Sequence, residues 1–379
     1  MNIWAGMKRR KKHTFESGEA GRIPRTLVLG SLFKNMQYQK IENKIGEVKY
    51  RKKLTKQYLG KNKFFPSEPD TKEIISALKD RISSTKNDFT FLKKQDVSLT
   101  PYLEIGAEFG HRASILEEKY NSSGFALDLS LESLTQAPFF AKKLKLKKIP
   151  QRICADAYHL PFLNNSFEFV FCYQTLHHFP DPSPIIGEIY RVLAPGGHFF
   201  VNEEPVSQRL NLNLWRRPTK LRAWEKAIKY TFILPFVSTI GKTETNHRIL
   251  EETFNIKTWE KSLNCFENAT VWLKPYPFGQ ESKINKKKSA GWLKPNPLTR
   301  SLINLSGGGI KILARKGGKL QNKVNSQIES FLACPLCRKI MTPKLFCSKC
   351  RTGYQSFKRI KLLLEKRLMV KLYPKLTNV

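Results

Sequence analysis

Between residues 98 and 204 short apolar runs alternate with longer stretches of mixed polarity, a pattern that predicts strands separated by helices. Tyr102-Leu-Glu-Ile105 follows Pro101 and breaks into a loop containing Gly106 and Gly110, after which Ala113 to Tyr120 reads as a helix. Gly124-Phe-Ala-Leu-Asp128 and Ile153-Cys-Ala-Asp156 are two further short strands, and each ends in an acid. Leu160 to Tyr173 is a turn feeding an almost wholly apolar fourth strand, of the type buried on both faces in a parallel sheet. Asp181-Pro-Ser-Pro184 opens a helix that runs to Leu193 and is ended by Pro195-Gly-Gly197, and His198 to Asn202 is a fifth strand. Strands alternating with helices specify a doubly wound α/β sheet, with ligands at the carboxyl ends of the strands.

The flanks are patterned less strongly. Asn268 to Tyr276 and Gly309 to Lys316 read as strands, and the Lys-rich stretch between them, 277–306, reads as a functional loop or a partly disordered connection. Pro205 to Ile240, within an insertion spanning 205–265, is rich in Leu, Trp and basic residues and reads as one or two helices forming a lid over a substrate. Residues 1–95 show no repeat and few strong periods; Thr71 to Ile82 is the helix expected there, capped by Asp70 or Thr71. The organisation expected is a basic extension over 1–95, a sheet-containing domain over 96–320 and a small C-terminal domain over 328–379.

Charge sharpens this division. The formal net charge is +36, yet residues 101–204 carry 9 Lys and Arg against 12 Asp and Glu. Residues 1–100 carry 23 against 10, and residues 205–379 carry 35 against 9. Basic segments around a near-neutral centre fit a partner such as RNA or another polyanion; a compositional bias toward Lys is the alternative, since base readers favour Arg. The run Met7-Lys-Arg-Arg-Lys-Lys12 either binds phosphates or is a solvated tail. No stretch reaches the ~18 consecutive apolar residues of a membrane span, and the basic residues near the N-terminus precede no apolar core, so a cytoplasmic location is expected.

Six motifs follow one another in the central region: Glu104-Ile-Gly-x-x-x-Gly110, Leu127-Asp-Leu-Ser130, Ala155-Asp-Ala-x-x-Leu-Pro-Phe162, Asn165-Ser-Phe-Glu168, Leu176-His-His-Phe179 and Arg191-Val-Leu-Ala-Pro-Gly-Gly197. On these residues the chain from 98 to 204 resembles the class I S-adenosylmethionine-dependent methyltransferases of the type-11 group, which also contains the ubiquinone and menaquinone methylating enzymes. The resemblance implies a Rossmann-like sheet of seven strands whose last two, near 268–276 and 309–316, form an antiparallel hairpin. It implies that Glu104 lies near the methionine moiety of S-adenosylmethionine, that Gly106 and Gly110 shape the cofactor loop, that Asp128 binds the ribose, and that Asp156 meets the adenine amino group. One position departs from the pattern. Glu108 stands where the family usually has glycine, so an anion sits in the cofactor loop, where it could turn outward, contact the methionine ammonium or weaken the site.

Four of the seven cysteines form two knuckles nine residues apart, Cys334-Pro-Leu-Cys337 and Cys347-Ser-Lys-Cys350, with Lys344 to Phe346 reading as a strand between them. Each knuckle can place two thiolates on one ion, so the four complete a closed tetrahedral zinc site; two disulfides are the competing arrangement. Phe331 to Cys337 and Cys347 to Tyr354, continuing through Leu364, resemble the small zinc-ribbon family that activates tRNA, rRNA and release-factor methyltransferases. The Gly-Ile-Pro expected near its end is replaced by Phe357-Lys-Arg-Ile360. Cys154, Cys172 and Cys265 read as buried small residues.

For methyl transfer the protein must align a nucleophile and exclude water, with a base if the acceptor is a hydroxyl or an acidic carbon. Candidate groups near the ends of the fourth and fifth strands are His177, Tyr173 and Glu203, with His178 and Glu204 beside them. The Asn/Asp-Pro-Pro-Tyr motif of amino-group methylating enzymes is missing, Cys172-Tyr-Gln-Thr standing in its place, and no Pro-Cys nucleophile is present. The acceptor expected is a small molecule, lipid or saccharide. The alternatives are an RNA acceptor and a non-catalytic scaffold that binds cofactor or RNA.

Overall fold

The computed structural model describes residues 25–65, 69–207, 252–276, 279–320 and 327–377, with side chains from residue 41 onward. Two compact units divide the chain, Met1–Glu42 and Asn43–Val379. Helix α1, Arg25–Tyr58, crosses that boundary, and its residues from Asn43 onward belong to the second unit together with the sheet and the elements packed on it. No described helix is long and apolar enough to cross a membrane.

Each expected strand of the central region is present: β1 (Tyr102–Ile105), β2 (Gly124–Asp128), β3 (Gln151–Ala155), β4 (Phe167–Tyr173) and β5 (Leu193–Val206). They alternate with α3 (His111–Lys119), α4 (Leu131–Thr135), α5 (Ala137–Leu144) and α6 (Ser183–Val192). After residue 252 come α7 (Ile256–Ser262), β6 (Asn268–Pro275), β7 (Ser282–Asn285), α8 (Pro297–Ser306) and β8 (Gly308–Arg315). The order β3-β2-β1-β4-β5-β8-β6 holds the seven expected strands, with β8 antiparallel to both β5 and β6. All of β1 is buried, as a strand covered on both faces must be.

Residues with odd and even numbers on a strand face opposite layers. Leu103, Ile105, Ile153 and Ala155 join the core beneath α6, whereas Tyr102, Ala126, Phe169 and Phe171 join Phe89 and Leu92 of α2, Thr71–Lys94. The predicted helix at 71–82 begins at the expected place, because Asp70 and Glu73 form a reciprocal capping box. It runs twelve residues further than expected, since Thr85, Phe89 and Leu92 continue its buried stripe.

Other expectations give way to tertiary packing. Among the described residues the sheet has ten strands where seven were expected. β7 extends one edge, and the C-terminal segment supplies β11 (Gln355–Phe357) and β12 (Ile360–Leu363) at the other, with β12 parallel to β3. The stretch 277–306 therefore contains a strand and a helix besides loop. The tail after 328 does not stand apart: α9, Lys366–Leu372, places Leu368 and Met369 in one core with Leu131, Leu134 and Cys154. Tyr373 donates its hydroxyl to Leu129 O at 2.7 Å and accepts the Leu131 N–H at 2.9 Å. A boundary at residue 328 would cut across all of these contacts. The strand expected at Lys344 to Phe346 lies one step later, as β9 (Phe346–Cys347) paired with β10 (Thr352–Gly353). Cys154 and Cys172 are buried as expected, but Cys265 is exposed. β5 continues to Val206, so the expected lid begins in strand, and its remainder, 208–251, lies outside the described residues, as does the basic run at 7–12.

Candidate active site

Three neighbouring strands end in three carboxylates, Glu104 and Asp156 buried and Asp128 half-buried. Glu104 on β1, Asp128 at the end of β2 and Asp156 directly after β3 line the carboxyl edge of the sheet around the Gly106–Gly110 loop. Gly106 has φ +71°, and a Cβ there would lie 2.2 Å from Thr175 Oγ1, so only glycine lets this loop pass the one after β4. Gly110, φ +68°, leads into α3, where Ala113 donates its N–H to Glu104 at 3.2 Å. Burial pushes the Glu104 carboxyl up to about 8 and that of Asp128 up to about 6.

Asp128 accepts the N–H of Ser130 at 2.7 Å and that of Glu108 at 2.8 Å. Each carboxylate oxygen can accept a second bond, so both retain capacity for a hydroxyl. Glu108 itself adopts φ +52°, a left-handed backbone that suits glycine and explains the residue expected at this position. Its carboxylate is taken up by two guanidinium groups, Arg81 at 3.3 Å and Arg51 at 3.8 Å.

Asp156 is paired with Lys44 of α1 and accepts the Tyr158 N–H at 3.1 Å. Burial raises its carboxyl, but His159, Lys44 and that N–H outweigh burial and hold it below the usual range. The contribution of α1 to this site is not among the sequence expectations. Its signal is the spacing of Tyr50, Leu54 and Tyr58, every fourth residue, which packs with Phe65, Phe109 and Phe140 and brings Lys44 and Arg51 to the strand ends. His111 is a second residue that the sequence pattern leaves unmarked. It is 1% exposed, neither ring nitrogen has a hydrogen-bond partner among the described residues, and burial pushes its pKa well down, so a neutral imidazole stands at the start of α3 beside the loop.

On the far side of the loop, Glu204 organises the turn after β4. Its buried carboxylate accepts the N–H groups of Thr175, Leu176 and His177 at 2.6, 2.9 and 3.1 Å, and His177 Nδ1 lies 2.9 Å away. Burial raises this carboxyl, but the neighbouring His177 ring and these donors outweigh it and hold it below the usual range. Glu203, one of the three residues expected in catalysis, points elsewhere. Between Val201 and Glu204 the register with β8 gains one residue on β5, and Glu203 has φ +63°, so the two acids are re-aimed. Glu203 meets Arg112 at 3.8 Å, and Arg112 lies over the Tyr173 ring at 4.2 Å. Tyr173 donates its hydroxyl to Asp88 at 3.0 Å, Asn202 donates to the same oxygen at 2.9 Å, and burial keeps the phenol protonated. Tyr173 is thereby a poor base, and of the three expected groups His177 alone combines partial exposure with a carboxylate partner.

The four cysteines converge. Their Sγ atoms all lie within 4.8 Å of one another, close to the edge of about 3.8 Å that a tetrahedron with zinc–sulfur bonds of about 2.3 Å requires. Cys350 directs its N–H at Cys347 Sγ at 3.5 Å, and Tyr354 Oη lies 3.3 Å from Cys334 Sγ, the kind of support that orients thiolate ligands.

Two outcomes are expected of these carboxylates. Glu104 has an ordinary value of 4.5 and a folded value of about 8, so the stability it contributes is fully present below pH 4.5 and is lost as pH rises through 8. Glu104→Gln should flatten thermal or urea stability against pH across that window, where the wild-type excess slope has a ceiling of about 1.4 kcal/mol per pH unit; parallel profiles would contradict the assignment. Glu204→Gln removes an anion that four donors share, and should cost about 2–3 kcal/mol in urea unfolding at neutral pH. An unchanged midpoint would show that the turn after β4 does not depend on it.

Comparison with known proteins agrees with this geometry. A family described as methyltransferase domain matches residues 103–201. The chain is similar to sterol 24-C-methyltransferase of Schizosaccharomyces pombe, 31% identical over 101 residues that make up 27% of this chain and 27% of that protein. It is similar to malonyl-[acyl-carrier protein] O-methyltransferase of Marinomonas sp., 33% identical over 25% of this chain and 35% of that protein. Similarity to demethylmenaquinone methyltransferase of Lactobacillus johnsonii is 29% over 43% of this chain and 64% of that protein. The chain thus spans less than two-thirds of each of these curated relatives. The family match covers the segment carrying Glu104, Asp128, Asp156 and the turn after β4, so residues 103–201 are the part of the chain that matches a methyltransferase domain.

Proposed function

We propose that this protein transfers a methyl group from S-adenosylmethionine to a small-molecule or lipid acceptor. The observation that carries the reading is the row of three carboxylates at the ends of β1, β2 and β3, Glu104 and Asp156 buried and Asp128 half-buried, around a loop with left-handed Gly106 and Gly110. The residues present suit such a ligand: Asp128 for ribose hydroxyls, Asp156 for the adenine amino group, Glu104 near the methionine ammonium, and the His111 ring, without a hydrogen-bond partner among the described residues, as a further polar contact. When bound, the cofactor supplies an electrophilic methyl group on sulfur. The chain aligns the acceptor, excludes water and, where the acceptor carries a proton, removes it with His177, whose ring Glu204 orients. The matched relatives are named for a sterol, an acyl-carrier-bound malonyl group and demethylmenaquinone, which supports an acceptor of that general kind. The RNA alternative rests on the basic flanks. The scaffold alternative rests on Glu108, whose charge Arg51 and Arg81 take up.

Cys334, Cys337, Cys347 and Cys350 would hold one zinc ion in a closed, structural site, because four protein ligands leave no position for water or substrate.

Three measurements test these readings. Asp128→Ala removes the anion expected to accept two ribose hydroxyl bonds, each worth about 1.5–3 kcal/mol for a charged acceptor, so calorimetric affinity for S-adenosylhomocysteine should fall at least about tenfold. Unchanged affinity would remove Asp128 from the site. Transfer of labelled methyl into fractionated extract should place label in the small-molecule or lipid fraction, and label in RNA would favour the alternative. Elemental analysis should find one zinc per chain in protein purified without chelator and none in the Cys347→Ser, Cys350→Ser double variant; metal retained there would exclude this ligand set.

A further inference from the structure

The turn after β3, residues 156–163, is joined to the four-cysteine segment at several points. Leu163 donates its N–H to Phe331 O at 2.8 Å, and Ala333 donates to Pro161 O at 2.9 Å, so the chain entering Cys334 is stitched to that turn in both directions. Directly after the first knuckle Arg338, at φ +59°, sends Nη2 to Glu188 Oε1 at 2.8 Å, and Glu188 Oε2 accepts the Leu160 N–H at 3.1 Å. Beyond the second knuckle, β12 pairs with β3 as far as Leu363 opposite Ala155. The next acid, Glu365, lies 3.7 Å from His159, whose ring is 3.8 Å from Asp156. Phe331 meets Phe167 edge-on at 5.6 Å, and Cys334, Leu345 and Cys347 share a core with Leu160 and Phe162.

The contacts of Phe331, Ala333 and Arg338 lie within a few residues of a cysteine, and β12 follows the second knuckle along the chain. Short loops of this type draw their folding free energy from metal–thiolate bonds, since they bury too little apolar surface to hold themselves. Resting on the reading of Asp156 as an adenine ligand, we propose that metal occupancy of the four-cysteine site sets the affinity for the methyl donor. Loaded, the knuckles fix the 156–163 turn and hold Asp156 in its binding position. Stripped, they release the turn.

The test uses the full chain in three states: zinc-loaded, stripped with a chelator, and reloaded with zinc. Amide hydrogen exchange over 156–163 and calorimetric titration with S-adenosylhomocysteine are followed in each. Stripping should speed exchange at Leu160 and Leu163, leave β1 and β4 protected, and weaken binding by about tenfold, within the usual range of coupling between sites; reloading should reverse all of this. Arg338→Ala keeps all four thiolates and should retain zinc while speeding exchange at Leu160 and weakening binding by a smaller factor. Exchange and affinity that are the same in loaded and stripped protein overturn the proposal. Should stripping unfold the whole chain, the zinc-retaining Arg338→Ala variant decides, and unchanged exchange and affinity there overturn it equally. A loaded protein that binds no S-adenosylhomocysteine refutes the donor reading instead, and the exchange readout still decides the coupling.

Discussion

Burying several acids at the carboxyl ends of neighbouring parallel strands is costly, and much of this structure is arranged around that cost. A carboxylate removed from water needs a cation, a set of N–H donors or a proton. All three solutions are used. Asp128 and Glu204 take backbone N–H groups from adjacent loops, Asp156 takes Lys44 and the Tyr158 N–H, and Glu104, with one weak donor at 3.2 Å, has its proton affinity raised. The loops after β1, β2 and β4 owe their shapes partly to the acids they satisfy, so the chemistry of the site and the local fold are the same set of bonds.

The segments that complete the site come from far along the chain. α1 reaches the strand ends through Lys44 and Arg51, and the C-terminal segment reaches the turn after β3 from the opposite side of the sequence. Adding β12 beside β3 also covers an edge that would otherwise present unpaired backbone groups. The β3 side of the sheet is thereby flanked by elements lying outside residues 103–201, the segment that the methyltransferase-domain family matches.

The central α/β order was legible because it is written in local pattern: apolar runs of strand length, acids at their ends, glycine where φ is positive. Asp128 and Asp156 stand out in that way. What escapes such a reading is decided by distant partners. The helix at 43–58 is a weak pattern by itself, and its buried Tyr50, Leu54 and Tyr58 acquire meaning only against Phe109 and Phe140. Likewise the tail reads as an independent ribbon because its cysteine spacing is self-contained. Nothing local announces that Ile360 to Leu363 will pair with a strand some two hundred residues earlier.

Glu203 and Glu204 show how a single inserted residue defeats pattern reasoning. Simple alternation from Phe200 and Val201 would send Glu204 to the side of Asn202 and Asp88, and Glu203 beneath the turn after β4. The extra residue on β5 reverses this: Glu203 joins Arg112 beside Tyr173, and Glu204 enters the turn to collect three N–H groups and His177. Bulges are a recognised means of re-aiming side chains near active sites. Here the gain is specific, because a buried acid under the turn both fixes its backbone and orients the His177 ring. The choice between the two acids therefore depends on where β5 slips against β8, a property of strand pairing that neither residue carries in its own sequence neighbourhood.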